Sequence, residues 1–435
     1  MNLKTVFFLL YGSVFTAYQL FTQEFYNENY FRYADYSYVK NIKTVQLYPE
    51  NEPMGLPILF FNTNQILELH FDDLSNQYKN YYISFKHCSA NWEPSDLLEN
   101  EFLESFNEDQ IFKYDFSFNT DIPYIHYVYS FPNTNINFLK SGNYILYVYE
   151  EGKKEQPVLT KRFYIVDNKV TINATIKQAT EVTEKFYKQE VDFTINKGDL
   201  NIVDPYRDLK IIISQNFRYD NSISGLKPKF INDEIIDFNY DYENNFDGNN
   251  EFRQFDIKSL KYNSTHVDKI MNDKDGIPHV FLTPDDTRSF MKYIYNKDLN
   301  GKFLIKRNEG NKSNTEADYV YVHFKLNYSP PITSGNLYVF GGLTDWEFKD
   351  EFKLTYDTLN QQYQCTALLK QGFYDYMYAF VPDKSKNKAE MLYIEGNHSE
   401  TENDYYIFVY FRNKSSNYDE LIGFLIKNSF NNSSK

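Results

Sequence analysis

Apolar and polar residues alternate with a period of two through most of the chain. In LELHFDD, Leu67, Leu69 and Phe71 fall on one side of an extended segment, and Glu68 and His70 fall on the other. Because successive side chains of a strand point to opposite faces, this alternation predicts a β-strand with one buried face. The same pattern recurs in YYISFK (81–86), SGNYILYVYEEG (141–152), VDFTI (191–195), LKIIIS (209–214), DYVYVHFKL (318–326), NLYVFGGL (336–343), YDYMYAFV (374–381) and YYIFVYFR (405–412).

The spacing of these segments predicts the fold class and the domains. Strands separated by turn-forming clusters, with hardly any long helical pattern, indicate an all-β chain of tandem immunoglobulin-like β-sandwiches. We expect an N-terminal sandwich over 35–166, a second over 171–310, a C-terminal one over 316–412, and a tail over 413–435. The Asn300-Gly301 dipeptide between YIYNKDL and KFLIK predicts a hairpin turn.

The N-terminus has the order of an export signal. One lysine precedes an apolar run from Thr5 to Phe15, and smaller and polar residues follow. The run is too short to span a bilayer. We therefore expect a signal peptide over 1–22, cleaved after Ala17 or Thr22, and an exported protein without direct membrane insertion.

Composition and charge narrow the function classes. The chain is 42% hydrophobic, and its 41 Tyr and 39 Phe outnumber 2 Trp, a bias that favours β structure. A net charge of −15 argues against binding of nucleic acid or of an anionic membrane surface. Cys88 and Cys365 fall in different predicted domains, so we expect no disulfide between them.

The adjacent His87 and Cys88 are the first candidates for chemistry, within the acidic stretch 87–106. They end a predicted strand, where neighbours point to opposite faces, so they cannot face each other as a catalytic pair. His70 and His126 are other possible bases, but no sequence signature supports either. We expect a half-buried Cys88 beside a surface His87.

The rest of that stretch carries a helical spacing. Leu98, Phe102 and Phe106 lie four residues apart, and Ser95 precedes them as a possible N-cap. This pattern predicts a short amphipathic helical turn packed on the edge of a sandwich.

Other chemical signatures fail. Asp237, Asn239 and Asp241 occupy the first three ligand positions of an EF-hand, but Tyr242 takes its glycine position and Gly248 that of its glutamate. The sequence has no phosphate loop, nucleophile elbow, HExxH or CxxC motif. A glycosidase carboxylate pair is defined by a distance in space, which sequence does not reveal. We therefore predict a protein that is not an enzyme and that needs no metal and no cofactor.

Three ordered groups of motifs resemble one family. They are YYISFKHCSANWEPSDLLENEFLESF with FSFNTDIPYIHYVYSFPN and SGNYILYVYE; ISQNFRYDNSISGLKPKF with NNEFRQFDIKSL; and DYVYVHFKL with LYVFGGLTDW and IEGNHSETENDYYIFVYFR. In order and spacing, over about residues 35–412, they are similar to the plug proteins of the type IX secretion system of Bacteroidetes, formerly a family of unknown function. Phe217 and Tyr219 stand where that family has a smaller residue and a tryptophan, which we interpret as packing changes.

The resemblance implies a location, a partner and a function. Such plug proteins lie in the periplasm, peripherally associated with the outer membrane. They bind the periplasmic side of the outer-membrane translocon barrel and seal its pore when the cargo shuttle is absent. On this interpretation 87–106 is a packed, partner-facing loop rather than an active site.

The third unit also resembles the early-set sandwich of glycogen-binding modules. The turn from Gly341 to Trp346 and the strand from Gly372 to Tyr376 match its motifs. Such modules stack sugars on two tryptophans, so an exported glycan-binding protein is the alternative function. The candidate glycan or partner contacts are Trp346, Tyr374, Tyr376 and Trp92.

Overall fold

Three β-sandwiches make up the part of the chain that the computed structural model describes, residues 30–384, 388–412 and 417–431. Within these ranges the α-helices are four single turns, and no helix is long and apolar enough to cross a membrane. The predicted all-β fold class is confirmed. The predicted signal peptide, 1–22, lies outside the described residues.

The first sandwich contains twelve strands and one helical turn. They are β1 (Tyr36–Ser37), β2 (Ile42–Pro49), β3 (Ile58–Phe60), β4 (Leu67–Asp73), β5 (Tyr81–Cys88), α1 (Glu99–Phe102), β6 (Leu103–Ser105), β7 (Glu108–Gln110), β8 (Lys113–Phe116), β9 (Ile125–Phe131), β10 (Ile136–Phe138), β11 (Gly142–Glu150) and β12 (Pro157–Val166). One sheet has the order β1-β12-β11-β5-β7, with β3 beside β12, and the other has the order β2-β4-β9-β8. Their inner faces form one apolar core, because the alternating side chains of both sheets point towards each other.

The second sandwich begins with seven strands and one helical turn. They are β13 (Thr171–Gln178), β14 (Lys188–Asn196), α2 (Pro205–Asp208), β15 (Leu209–Gln215), β16 (Ile223–Ser224), β17 (Phe230–Ile231), β18 (Ile235–Asp237) and β19 (Asn245–Asp247). One sheet has the order β13-β14-β18-β17, with β19 beside β14, and β15 pairs with β16 in the facing sheet.

The third sandwich follows. Its elements are β20 (Arg253–Asp256), β21 (Val267–Asn272), β22 (Pro278–Leu282), β23 (Asp285–Asp286), β24 (Phe303–Ile305), α3 (Ser313–Glu316), β25 (Tyr319–Asn327), β26 (Gly335–Phe340), β27 (Thr355–Asp357), β28 (Gln362–Lys370), β29 (Gly372–Pro382) and α4 (Leu392–Glu395), with 3-10 turns at Gly342–Thr344 and Asp350–Phe352. One sheet has the order β20-β29-β24, with β26 beside β29, and the other has the order β21-β22-β25-β28-β27, with β23 beside β25.

The chain then returns to the second sandwich. β30 (Asp404–Phe411) pairs with β15 along its whole length, and β31 (Glu420–Asn428) pairs with β30. The third sandwich is therefore inserted into the second, between β19 and β30.

This insertion corrects the predicted domain boundaries. Strands between 253 and 305, placed by sequence in the second domain, pair within the third sandwich. YYIFVYFR, placed in the third domain, belongs to the second, and the predicted tail 413–435 contains β31. Alternation reveals that a segment is a strand but does not reveal its pairing partner. The order of strands along the chain therefore did not predict the domain to which each strand belongs.

The turn at Asn300-Gly301 is present, but the predicted hairpin is wrong. Both residues have positive φ, 52° and 81°, as a tight turn of this composition requires. KFLIK continues into β24, whereas the preceding segment, 287–299, forms no strand. Tyrosine hydroxyls fix that segment instead of a backbone ladder: Tyr293 donates to Glu251 and Tyr295 to Glu402.

Candidate binding surfaces and buried junctions

The His87–Cys88 pair is buried and chemically quiet. The ring nitrogens of His87 hydrogen-bond with Ser95 Oγ at 2.9 Å and with the carbonyl of Ser141 at 3.1 Å. Burial lowers the pKa of His87 to about 4 and raises the pKa of the Cys88 thiol to about 12. Because a cysteine nucleophile reacts as its thiolate, this pair offers neither nucleophile nor charged acid. The expected surface position of His87 is wrong, since only 3% of the residue is exposed.

The helical pattern after it is shorter than predicted. α1 begins after Leu98, not at Ser95, and ends at Phe102. Phe102 is buried, whereas Leu98 and Phe106 are about two-thirds exposed (66% and 60%). The chain becomes extended in β6 after a single turn, so the four-residue spacing never forms one helical face.

His70 and His126 lie on the other sheet of the first sandwich, on β4 and β9, and contact each other at 3.1 Å. The second nitrogen of His126 lies 2.6 Å from Asp72 Oδ1. They are thus part of a polar contact between sandwiches and do not assist Cys88.

That contact, here called the charged junction, consists of Asp72, His126, Tyr319 and Lys370. Lys370 Nζ on β28 lies 2.7 Å from Asp72 Oδ2 on β4, and the Tyr319 hydroxyl donates to the same oxygen at 2.6 Å. Both charged side chains are 1% exposed. Burial alone would raise the pKa of Asp72, but Lys370 and the hydrogen bond with His126 hold it below its usual value. The junction fastens the first sandwich to the third.

A second contact, here called the carboxyl junction, consists of Glu251, Asp298, Asp375 and Glu402. It lies where the third sandwich joins the second, because Glu251 and Glu402 belong to the two segments that connect them. The Glu402 backbone N–H donates to Glu251 Oε1 at 3.1 Å. None of Glu251, Asp298 and Asp375 has a Lys or Arg partner among the described residues.

Backbone N–H groups take the place of a cation there. Asp375 Oδ2 accepts hydrogen bonds from the N–H groups of Leu299 and Gly301, and Asp298 accepts from those of Phe252 and Asn300. Burial, together with the neighbouring charge of Asp375, raises the pKa of Asp298 to about 8. Burial raises the pKa of Asp375 to about 7 and also raises that of Glu251.

The predicted contact Trp346 is a packing residue. Its half-buried ring meets Phe252 and Phe340 edge-on, with centroids 6.0 and 5.4 Å apart, and the Arg218 guanidinium lies 5.6 Å from its centroid. A Cβ on Gly301 would lie only 2.4 Å from the indole, so the glycine permits this close packing.

Tyr374 and Tyr376 are wrong as surface contacts. They are 2% and 0% exposed and point into the core of the third sandwich, where Tyr376 donates to Asp285 at 2.6 Å. Because both lie on the same face of β29, the alternation that predicts a strand also places them together in its buried layer.

Trp92 lies at the contact between the first and second sandwiches. The Arg162 guanidinium is 4.5 Å from the Trp92 ring and 4.2 Å from that of Tyr219. Phe217 and Tyr219 pack in the same apolar cluster, with Tyr164. This is a cation–π contact between domains and leaves no open sugar platform.

Two exposed surfaces were missed by sequence analysis. The first, here called the aromatic groove, has a volume of about 630 Å³ and lies between the second and third sandwiches. Its apolar lining is Phe186, Tyr187, Phe290, Met291 and Leu392. Phe290 is fully exposed and Phe186 is 63% exposed. The segment that carries Phe290 has no periodicity, so the sequence gives no signal of its exposure.

The second surface, here called the aromatic edge, is β8 with the residues beside it. Phe112, Phe116 and Phe118 are 71%, 58% and 72% exposed, and Tyr114 lies between them at 36%. β8 is the last strand of its sheet in the described chain. The alternation in IFKYDFSF signals a strand, but it does not tell that the aromatic face stays uncovered.

Residues 42–167 match the model for the first domain of the type 9 secretion system plug protein. The fold is similar to the crystal structure of a hypothetical protein from Parabacteroides merdae, with a TM-score of 0.88 and 33% sequence identity. That match covers 92% of this chain and all of the other. No curated protein matches the sequence.

Proposed function

The chain belongs to the type 9 secretion system plug protein family, as its motifs predicted, and from this premise we propose that it seals the outer-membrane translocon. It would act in the periplasm, peripherally associated with the outer membrane. There it would bind the translocon barrel and close its pore when the cargo shuttle is absent.

The way in which the sandwiches are joined supports this role. The third sandwich is attached to the second by two connections, and the buried Asp72–Lys370 pair fastens it to the first. Domains joined by extensive buried contacts move together rather than as separate bodies. A stopper needs this property, because a flexible chain of domains would leave gaps beside the pore wall.

Sealing a pore requires no covalent bond to be made or broken. Two binding partners, the plug and the shuttle, would favour different states of one barrel, and their relative affinities would decide which state is populated. The buried His87 and Cys88 and the all-β family fold support a protein that is not an enzyme.

We assign the contact with the translocon to the aromatic groove. Segment 287–297 carries Arg288, Lys292 and Lys297 and no acidic residue, in a chain of net charge −15. Lys292 and Lys297 form no ion pair among the described residues. The groove itself is lined by exposed aromatic rings together with Lys292 and Glu400. Such an apolar surface with a mixed polar rim fits a protein partner that presents an apolar ridge.

The glycan-binding alternative has lost its support. Trp346 is held inside a packed cluster, and Tyr374 and Tyr376 are core residues. The described chain therefore offers no pair of exposed rings at the position where early-set modules stack sugars.

A pull-down tests the proposal. Tagged protein is recovered from mildly solubilised outer membranes of the native host, and its partners are identified by mass spectrometry. We expect one very large barrel, in an amount that falls when the shuttle subunit is overproduced. Recovery of the protein without any barrel would contradict the proposal.

A groove variant sharpens the test. Phe290→Ser removes a fully exposed side chain, so we expect unchanged folding and about tenfold lower recovery of the barrel, as for an interface anchor. Leu359→Ser, at a 92% exposed position between β27 and β28, is the matched control and should recover the barrel normally. Equal recovery by both variants would remove the groove from the interface while leaving the plug role open.

A further inference from the structure

The backbone of the aromatic edge faces outwards at alternate residues. β8 pairs with β9 in one register, from Lys113 opposite Val128 to Phe116 opposite Ile125, and the Ser117 N–H continues it by donating to the Tyr124 carbonyl. In an antiparallel strand the N–H and C=O of one residue point to the same side. Over residues 113–117, the odd-numbered residues therefore face β9, and the even-numbered ones face away from it.

A second hydrogen bond agrees with this assignment. The Phe118 N–H donates to the carbonyl of Thr315 in the third sandwich, which lies on the side away from β9. That contact closes one end of the edge. The N–H and C=O groups of Tyr114 and Phe116 are left on the free side, because β8 pairs with β9 alone in the described chain.

The side chains of the even-numbered residues are aromatic and poorly covered. Tyr114 and Phe116 lie opposite Tyr127 and Ile125, whose side chains are in the core. Tyr114 and Phe116 thus continue the inner layer of the sandwich past its last covered strand, and the exposed Phe112 directly precedes β8. Long exposed apolar edges are rare in native proteins because they pair with other chains.

The two charged residues of β8 identify the kind of chain that fits. Lys113 and Asp115 flank Tyr114 symmetrically, and neither forms an ion pair among the described residues. If a second copy of β8 is laid antiparallel with Tyr114 opposite Tyr114, each Lys113 falls opposite an Asp115. The sequence of the edge is therefore complementary to itself about a two-fold axis.

The same register also satisfies the backbone and the aromatic face. Phe112, the residue before β8, falls opposite Phe116, whose backbone N–H and C=O face away from β9, as a hydrogen-bonded antiparallel pair requires. Aromatic cross-strand pairs are stabilising, as are opposite charges directly across a ladder. The order of Lys113 and Asp115 matches a second copy of the edge, because each copy then places the opposite charge across from the one it faces.

We propose that the aromatic edge is a homodimerisation site, at which two copies pair antiparallel through Phe112–Phe116. The four-stranded sheets of the two copies then join into one sheet of eight strands. The contact is short, so the dimer is weak and depends on concentration. It uses none of the groove residues and is independent of the proposed translocon contact.

Charge exchange tests the proposal. The full chain is followed by sedimentation equilibrium from micromolar to millimolar concentration. We expect Lys113→Asp and Asp115→Lys, each alone, to weaken dimerisation at least tenfold, because like charges then face each other twice. The double variant carrying both changes should dimerise like the original protein. Lys274→Asp, at an exposed turn, is the control for charge and should change nothing.

A backbone test does not depend on charge. The Tyr114 N–H points to the free edge, so Tyr114→Pro removes a dimer hydrogen bond and none to β9. We expect this variant to be monomeric, and the amides of Tyr114 and Phe116 to exchange more slowly as the original protein dimerises.

Several results would overturn the proposal. They are a monomer at every concentration, single and double charge variants that behave alike, and protection of the edge amides only when a different protein is bound. Recovery of the barrel in the pull-down tests the plug proposal separately from dimerisation. A protein that recovers the barrel but never dimerises would refute the edge pairing alone.

Discussion

The two polar junctions both bury carboxylates, but different groups stabilise the buried negative charge in each. In the charged junction Asp72 contacts the ammonium group of Lys370, and its pKa is held below the usual value. In the carboxyl junction Asp298 and Asp375 have no Lys or Arg partner among the described residues and accept hydrogen bonds from backbone N–H groups, and their pKa values rise to about 8 and 7. A buried cation keeps a carboxylate ionised, whereas a few backbone dipoles leave it holding a proton near neutral pH.

This difference gives the junctions opposite pH dependence. For Asp298 and Asp375 the folded pKa is raised, so the unfolded groups ionise first, near pH 4. Their contribution to the free energy of unfolding is fully present below about pH 4 and is lost as the pH rises through 7 and 8. For Asp72 the folded pKa is lowered, so its contribution is present above about pH 4 and is lost on acidification.

Removing the cation should break the charged junction with the largest effect. Lys370→Met leaves Asp72 charged, buried and without its ion pair, so we expect a loss of about 3–5 kcal/mol in unfolding free energy at pH 7. Denaturant unfolding measures this loss. The double variant with Asp72→Asn should recover part of it, because no uncompensated charge remains. Equal losses for both variants would contradict this account of the junction.

Removing one carboxylate should flatten the pH dependence of the other junction. The original protein should lose stability as the pH rises from 4 to 8.5, whereas Asp298→Asn lacks this titrating carboxyl. We expect the unfolding free energy of the variant to rise relative to that of the original protein over this range, by on the order of 2 kcal/mol. Melting temperatures across this pH range provide the measurement. Asp350→Asn, at an exposed position, is the matched control. A constant difference between variant and original protein at all pH values would count against the raised pKa.

Supplying a cation should make the carboxyl junction resemble the charged one. Gln254 donates to Asp375 Oδ1 at 3.3 Å and is partly exposed. Gln254→Lys should lower the pKa of Asp375 and stabilise the protein at pH 8 by about 0.2–1 kcal/mol, the range for partly exposed ion pairs. NMR titration of the Asp375 carboxyl would show the shift, and an unchanged titration would exclude the pair.

The strands were predictable from the sequence because alternation is a local property. LELHFDD, YYISFK and LKIIIS all form strands that cover the predicted segments. Pairing is not local: β15 and β30 meet across 190 residues, and no periodicity tells which distant strand fills a gap in a sheet.

The residues of the two junctions and of the exposed surfaces could not be predicted from the sequence. The alternation that gave β29 also buries Tyr374 and Tyr376, and the prediction of contacts there overlooked that consequence. The charged junction joins residues 298 positions apart, Asp72 and Lys370, and each resembles a surface residue when read alone. Such pairs become visible only when packing brings two sandwiches together, because burial and partner are both tertiary properties.

Because β30 and β31 follow the third sandwich in the sequence, they also determine the order in which the sandwiches can complete their folding. The first sandwich is one continuous stretch of the chain, so it can fold without the segments that follow it. β15 must wait for β30, with the whole third sandwich made in between. A chain that is truncated before β30 therefore has an incomplete second sandwich. Proteases degrade such incompletely folded chains.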